Sequence, residues 1–200
     1  MQFVKYDRTQ EQDAAVLRHE VGHAYAWLNY GGCVGRLRME RLSSGQLVAS
    51  TCFGAAIQDK SVSFAEANCV RLLAGEVAGR KFLHMSPREI VCDPIIPIRY
   101  PAHQLSSYLT TLQTPEDINK ALGVAVGSAG NDWYSWLKDR HFEARSIVTA
   151  GWVAIESVAK DLEQYLPQTG ATPIELPGQF LVDRFNKYIS RALPFHATAC

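Results

Sequence analysis

The segment His19-Glu20-Val21-Gly22-His23 is the part of the 200-residue chain that says most about its fold and chemistry. It lies in a proline-free stretch from about residue 10 to residue 29, which precedes Gly31-Gly32 and is predicted to be one helix. Histidines four positions apart share a helix face, so both imidazoles can reach one metal ion. Glu20 can reach a water on that metal and accept its proton. The segment therefore predicts a zinc site on this helix.

The rest of the chain predicts a mainly helical α+β domain over residues 1–200, with a small sheet beside the motif helix. Alternating apolar positions on both sides of Ser43-Ser44-Gly45 predict a β-hairpin over 34–53. Residues 86–113 contain four prolines and are expected to form a long loop. Apolar residues at helical spacing predict further helices at about 64–83, 114–127, 131–166 and 180–192, and Gly151 is the expected position of a kink in the long 131–166 helix.

Composition excludes several classes of protein. Lysine plus arginine and aspartate plus glutamate each number 20, so the neutral chain lacks the overall charge that favours nucleic acid or an anionic membrane. No apolar run approaches the ~18 residues of a membrane span. The opening residues MQFVKYDRTQ contain no apolar stretch typical of a signal peptide. Five irregularly spaced cysteines without a C-x-x-C pair predict reduced thiols and a cytoplasmic location.

A catalytic zinc site has three protein ligands and leaves a fourth position open. The motif helix supplies two, and no third histidine follows at H-E-x-x-H-x-x-G-x-x-H spacing, because residues 24–29 read AYAWLN. The third ligand must come from farther along the chain. The candidates are the downstream acids and histidines Glu76, His84, His103, Glu116, Asp117, Asp132, His141 and Glu143.

Four segments in the same order resemble one known family. LRHEVGHAYAWL is similar to the H-E-A-G-H-A helix of the FtsH-type zinc peptidases, which are the proteolytic domains of membrane-anchored ATP-dependent proteases. A predicted strand pair follows, and RLLAGEVAGRKF resembles the second helix of that family. TPEDINKAL resembles its S-N-D-I-x-x-A segment, and ELPGQFL resembles its L-x-G-x-E-L signature after a long helix. The similarity spans about residues 10–185.

The resemblance implies a ligand set. The aspartate of the family's S-N-D-I-x-x-A segment is its third zinc ligand, and Asp117 matches that position with Ala121 four residues later. It would bind zinc with His19 and His23, and Glu20 would be the general base. Taken without the resemblance, the residues leave other third ligands open, namely Asp132, His103 and Glu116.

The chain also departs from the family. The paired glutamates of the family's second helix align with Gly79 and Arg80, so a carboxylate hydrogen-bonded to a zinc-binding histidine is expected to be missing. Glu76, one turn earlier, is either a replacement or a solvated helix residue. The chain contains no G-x-x-x-x-G-K-[ST] segment, which leaves a peptidase module without its ATPase.

The predicted function is zinc-dependent hydrolysis of peptide bonds in unstructured polypeptides. The substrate would add as a strand to an edge of the 34–53 hairpin. The alternatives are a zinc-binding regulatory module of the same fold without turnover, and a zinc-free helical interaction protein. The expected partner is a peptide or protein, not nucleic acid or membrane. Whether an unfoldase acts in trans is left open.

Overall fold

The computed structural model describes residues 8–85, 116–189 and 198–199. The helices in these ranges are α1 Arg8–Asn29, α2 Phe64–Phe82, α3 Glu116–Ala129, α4 Trp133–Ala150, α5 Trp152–Leu162 and α6 Gly178–Tyr188. The strands in these ranges are β1 Cys33–Arg41, β2 Leu47–Phe53, β3 Ile174–Pro177 and β4 Thr198–Ala199. The predicted class, mainly helical α+β with a small sheet, is confirmed.

The sheet is built on β1. Strand β2 pairs with it in antiparallel register on one side, with Leu37 opposite Thr51, and the turn between them contains Gly45 at φ 83°. Strands β3 and β4 pair with β1 on the other side. Leu37 and Met39 are buried, as the alternation along β1 requires. The predicted hairpin is confirmed, and β2 forms an edge of the sheet within the described part of the chain.

Helices α1 and α2 pack together unusually closely. A Cβ built on Gly22 of α1 would lie 2.6 Å from Ala78 Cβ and 3.3 Å from Gly75 Cα of α2. Real side chains do not approach so closely, so small residues on both helices are required at this crossing. The small residues in the middle of α2 therefore permit this close packing. Helices α3 and α4 cover α2, whereas α5 packs on α1 and α6 on β1.

The predicted 131–166 helix is two helices. Residues 130–132 form a 3-10 turn, α4 ends at Ala150, and α5 begins at Trp152. A Cβ on Gly151 would lie 2.7 Å from the Tyr25 hydroxyl and closer still to its ring, so the break provides space for this α1 side chain. Helical periodicity continues through the break, which is why the sequence suggested one helix.

The other boundaries differ by a few residues. Helix α3 is described from Glu116 and continues to Ala129, two residues beyond its predicted end. Helix α6 begins at Gly178 and ends at Tyr188, because Ile189 is extended with φ −90° and ψ 114°. The predicted loop over 86–113 lies outside the described residues.

The cysteine prediction needs a correction. Cys33, at the start of β1, is disulfide-bonded, whereas Cys52 and Cys69 are free thiols. Reduced thiols were therefore wrongly predicted at Cys33, because spacing along the chain does not show which cysteines meet in three dimensions. The bond does not support the cytoplasmic location expected from reduced thiols. Within the described residues, no helix has both the length and the apolar character needed to cross a membrane.

Candidate metal centre

Three potential metal ligands meet where α1, α2 and α3 pack together. His19 and His23 lie one turn apart on α1, and Asp117 lies in the first turn of α3. Asp117 Oδ2 is 2.9 Å from His19 Nε2 and 3.2 Å from His23 Nε2, and the two Nε2 atoms are 2.9 Å apart. Within the described part of the chain, no other group of three histidine, cysteine or acidic residues has a metal-binding arrangement.

The donor set fits a zinc ion. Zinc takes imidazole nitrogens and carboxylate oxygens at about 2.0–2.2 Å, so tetrahedral ligands lie roughly 3.3–3.6 Å from one another. The three donor atoms of this site are 2.9–3.2 Å apart, only a few tenths of an ångström closer. A metal-binding group with two histidines and one carboxylate leaves the fourth tetrahedral position open, as catalytic zinc sites do.

The His23 ring is fixed in the orientation that a metal ligand needs. Its Nδ1 donates a hydrogen bond of 2.7 Å to the backbone carbonyl of Arg71 on α2. Since a carbonyl can only accept, a neutral His23 carries its proton on Nδ1 and presents the Nε2 lone pair to Asp117 and His19. The carbonyl thus orients the ring by accepting its N–H hydrogen bond, as a carboxylate does for many metal-binding histidines.

His19 and Asp117 stabilise each other's charged form. Burial alone would lower the pKa of His19, but the bond to Asp117 and the nearby Glu20 and Glu76 outweigh it and raise that pKa. Burial alone would raise the pKa of Asp117, but the hydrogen bond from His19 and the close approach of His23 outweigh it and lower that pKa well below its usual range. The carboxylate is therefore ionised at neutral pH, as a ligand must be.

Glu20 lies beside the cluster and is held by the sheet. The residue is 8% exposed, and its Oε2 accepts a hydrogen bond of 2.9 Å from the Thr51 hydroxyl on β2. Glu20 borders an open cleft of about 610 Å³ together with His19 and Asp117. Residues 47–49 of the edge strand line the same cleft. The Glu20 and Asp117 carboxylates, the His19 imidazole and a strand edge therefore face one space.

Among the described residues, none of the rival ligands joins this group of donor atoms. Glu116 is 80% exposed and pairs with Lys120 on its own helix, and Asp132 is exposed in the 3-10 turn. Glu143 accepts a hydrogen bond from the Tyr30 hydroxyl, and His84 is exposed just after α2. His141 faces a separate cavity, and His103 lies outside the described residues.

Glu76 is not the solvated helix residue that one of the two interpretations expected. Its side chain is 12% exposed, lies 3.6 Å from Arg80 Nη1, and lines the cleft. Gly79 lies against His19, since a Cβ built on Gly79 would be 3.5 Å from His19 Cβ and 3.8 Å from its Nδ1. The position that aligns with a family glutamate is therefore beside His19, but it carries no carboxylate.

Three contributors to the site were not predicted from the sequence. These are the Arg71 carbonyl, the Thr51 hydroxyl and Gly75, whose missing side chain leaves space for the His23 ring. A backbone carbonyl has no sequence signal, and a strand threonine is ordinary. Neither the models of known protein families nor the curated proteins match this sequence. The observations that bear on function are therefore the site's own donor atoms, cleft and strand edge.

Proposed function

We propose that this chain is a zinc-dependent peptidase of the FtsH type that cleaves unstructured polypeptides. His19, His23 and Asp117 would hold the zinc ion, and Glu20 would be the general base. The observation that carries the proposal is the position of Asp117. It follows His23 by 94 residues, yet one of its oxygens lies within 3.2 Å of both Nε2 atoms.

Each residue of the site has its own role in the proposed hydrolysis. Zinc, when bound, supplies a Lewis acid for the peptide carbonyl and lowers the pKa of a water from 15.7 to about 7. The Glu20 carboxylate accepts the proton of the attacking water and passes it to the leaving amine. The Thr51 hydroxyl holds this carboxylate toward the cleft. The anionic Asp117 balances part of the metal's charge and leaves a net +1 with two neutral imidazoles.

The edge of the sheet supports a polypeptide substrate. Strand β2 has β1 as its one partner among the described strands, and its residues 47–49 line the cleft beside Glu20. An extended peptide can hydrogen-bond to such an edge along its backbone, which aligns a peptide bond without reading a particular sequence. Because most backbone groups of a folded protein are already hydrogen-bonded within its own fold, the substrate is a flexible chain or an exposed loop.

A second candidate is a zinc-binding module of the same fold that binds a partner without cleaving it. Gly79 favours this candidate, because the carboxylate expected to hydrogen-bond with a zinc-binding histidine is absent beside His19. Such outer carboxylates commonly contribute 10–100-fold in metal affinity or activity. The ring of His23 keeps its own support from the Arg71 carbonyl, so this loss affects one of the two histidines.

The deciding experiment measures metal content and cleavage on the same preparations. We expect about one zinc per chain and cleavage of a fluorogenic unstructured polypeptide by the wild type. Glu20→Gln keeps zinc and loses about 10²–10⁴-fold in turnover, the usual contribution of a general base. His19→Ala with His23→Ala loses the zinc.

Each outcome separates the candidates. Zinc without cleavage in the wild type establishes the module, and stoichiometric zinc in the double histidine variant rejects both candidates. Loss of zinc in Glu20→Gln would contradict the role given to Glu20.

A further inference from the structure

A second cavity adjoins the metal cleft on the other side of Glu76. It has a volume of about 200 Å³ and lies between α2, α3 and α4. Glu76, Arg80 and Met85 line both this cavity and the cleft, so the two spaces share a wall. Sites for drug-sized ligands are about 300–1,000 Å³. This smaller volume suits a single short side chain or the last residue of a peptide.

The cavity has an apolar wall and a cationic rim. Leu73 and Val77 from α2 and Ile118 from α3 supply the apolar wall. Three cations and one carboxylate also line it, which gives a net charge of +2 when histidine is neutral. These charged residues are Arg80, Lys81, Arg145 and Glu76.

His141 is a buried polar side chain that lines this cavity. The residue is 6% exposed and lines the cavity, and its ring makes no hydrogen bond with any residue in the described ranges. Buried polar side chains are nearly always hydrogen-bonded, so an unpaired imidazole facing a cavity indicates a missing partner. Burial, with a smaller contribution from Arg145, lowers the pKa of His141 to about 4. The ring is therefore neutral at pH 7 and can donate one hydrogen bond.

We infer that this cavity, the His141 pocket, binds a carboxylate carried on a short apolar stem. Arg145 on α4 and Lys81 on α2 supply positive charge at the rim, and His141 donates a hydrogen bond from the interior. Two parts of a peptide have this chemistry, namely an acidic side chain and the C-terminal residue. The binding of a carboxylate stands on the pocket alone. Its assignment to a peptide in the neighbouring cleft rests on the proposed function.

Small blocked amino acids test the binding without needing a metal or turnover. N-acetylglutamate α-amide carries only a side-chain carboxylate, N-acetylalanine only a terminal one, and N-acetylglutamine α-amide neither. Each is titrated into the wild-type chain while the NMR signals of the His141 ring are followed. We expect one of the two carboxylates to bind at least ~10-fold more tightly than the glutamine compound, since a hydrogen bond to a charged group is roughly twice as strong as one to a neutral amide.

Variants on α4 locate the interaction. Arg145→Ala should weaken carboxylate binding by ~10-fold or more, and the matched control Lys138→Ala should not change it. Both residues are exposed cations of the same helix, but only Arg145 lines the pocket. Equal affinity for all three compounds, or an unchanged affinity in Arg145→Ala, would overturn the inference.

Cleavage assays then separate this inference from the proposed function. The wild type should cleave a peptide with glutamate near the scissile bond, or with a free C-terminus, faster than its glutamine or amidated counterpart. The Arg145→Glu variant should instead prefer a peptide with lysine in place of that glutamate. Cleavage without any such preference rejects the assignment to the substrate and leaves the peptidase intact. If the wild type cleaves none of these peptides, the peptidase is rejected, and the titrations still test whether the pocket binds a carboxylate.

Discussion

The imidazole of His23 occupies the space that a side chain on Gly75 would take. A Cβ built on Gly75 would lie 2.6 Å from His23 Nδ1 and closer still to Cε1 and Nε2 of the same ring. The same ring donates to the Arg71 carbonyl one turn earlier on α2. Helix α2 therefore shapes the site twice, with a carbonyl that fixes the ring and a glycine that leaves space for it.

Gly75→Ala should displace the His23 ring and weaken zinc binding by at least ~10-fold, the scale of losses when a ligand's support is disturbed. Overpacking of this kind also costs about 1–3 kcal/mol of stability, more than the ~1 kcal/mol gained from alanine in a helix. Zinc titration and urea unfolding measure the two effects.

Gly79→Ala is the matched control for this prediction, because its Cβ would make only ordinary contacts of 3.5 Å and longer. This variant should retain zinc, and its free energy of unfolding should rise by up to about 1 kcal/mol. Equal zinc affinity in the two variants would show that Gly75 does not position His23.

The site could be predicted from the sequence only in part. The spacing of His19 and His23 fixes their relation through helix geometry alone, so the motif is informative without a fold. The position of Asp117 depends instead on how α3 packs against α1, and its residue type does not distinguish it from Glu116 or Asp132. The resemblance named Asp117, and the structure places it against both histidines.

The fold shows the same limit. Strand alternation and helical periodicity predicted the hairpin and α2, because each depends on local patterning. The full break at Gly151, where the glycine suggested only a kink, depends on Tyr25 from a distant helix, and the spacing of the cysteines does not mark the disulfide at Cys33. Such features follow from tertiary packing, which periodicity does not describe.

Asp117→Asn should reduce zinc affinity strongly, because it removes the anionic ligand while preserving the side chain's shape. In the metal-free protein the pKa of His19 should fall, since burial would then act without the carboxylate that raises it. Metal titration and NMR titration of the histidine rings measure these effects. Glu116→Gln, a change to the exposed neighbour, should alter neither. A His19 pKa that is the same in Asp117→Asn and the wild type would contradict the contact.

Thr51→Val should lower the turnover number by roughly 3–10-fold without loss of zinc. The hydroxyl that holds Glu20 is lost, and a hydrogen bond of this kind contributes about 0.5–1.5 kcal/mol. Steady-state kinetics on an unstructured polypeptide measure the effect. Ser50→Ala, one position earlier and exposed, is the control and should behave like the wild type. A Thr51→Val enzyme with full turnover would show that Glu20 needs no such support.

His141 should make stability fall as the pH is lowered from 7 to 5. Its folded pKa of about 4 lies below the unfolded value of 6.5, mainly because of burial and then because of Arg145, with Glu76 acting in the opposite direction. Between these values the unfolded chain binds the extra proton, so stability rises with pH. The stability that depends on a neutral His141 is fully present above pH 6.5 and is lost as the pH falls toward 4.

The free energy of unfolding, measured with urea, should therefore fall between pH 7 and pH 5 by about 2 kcal/mol more in the wild type than in His141→Leu, which cannot take up this proton. The comparison between the two proteins cancels the effects of the other acids and histidines, including Asp117 and His19. The pocket ligand gives a second readout, because a bound carboxylate favours protonation of the ring and should shrink the difference. A difference between pH 7 and pH 5 that is identical in the two proteins would show that His141 is not held neutral in the folded chain.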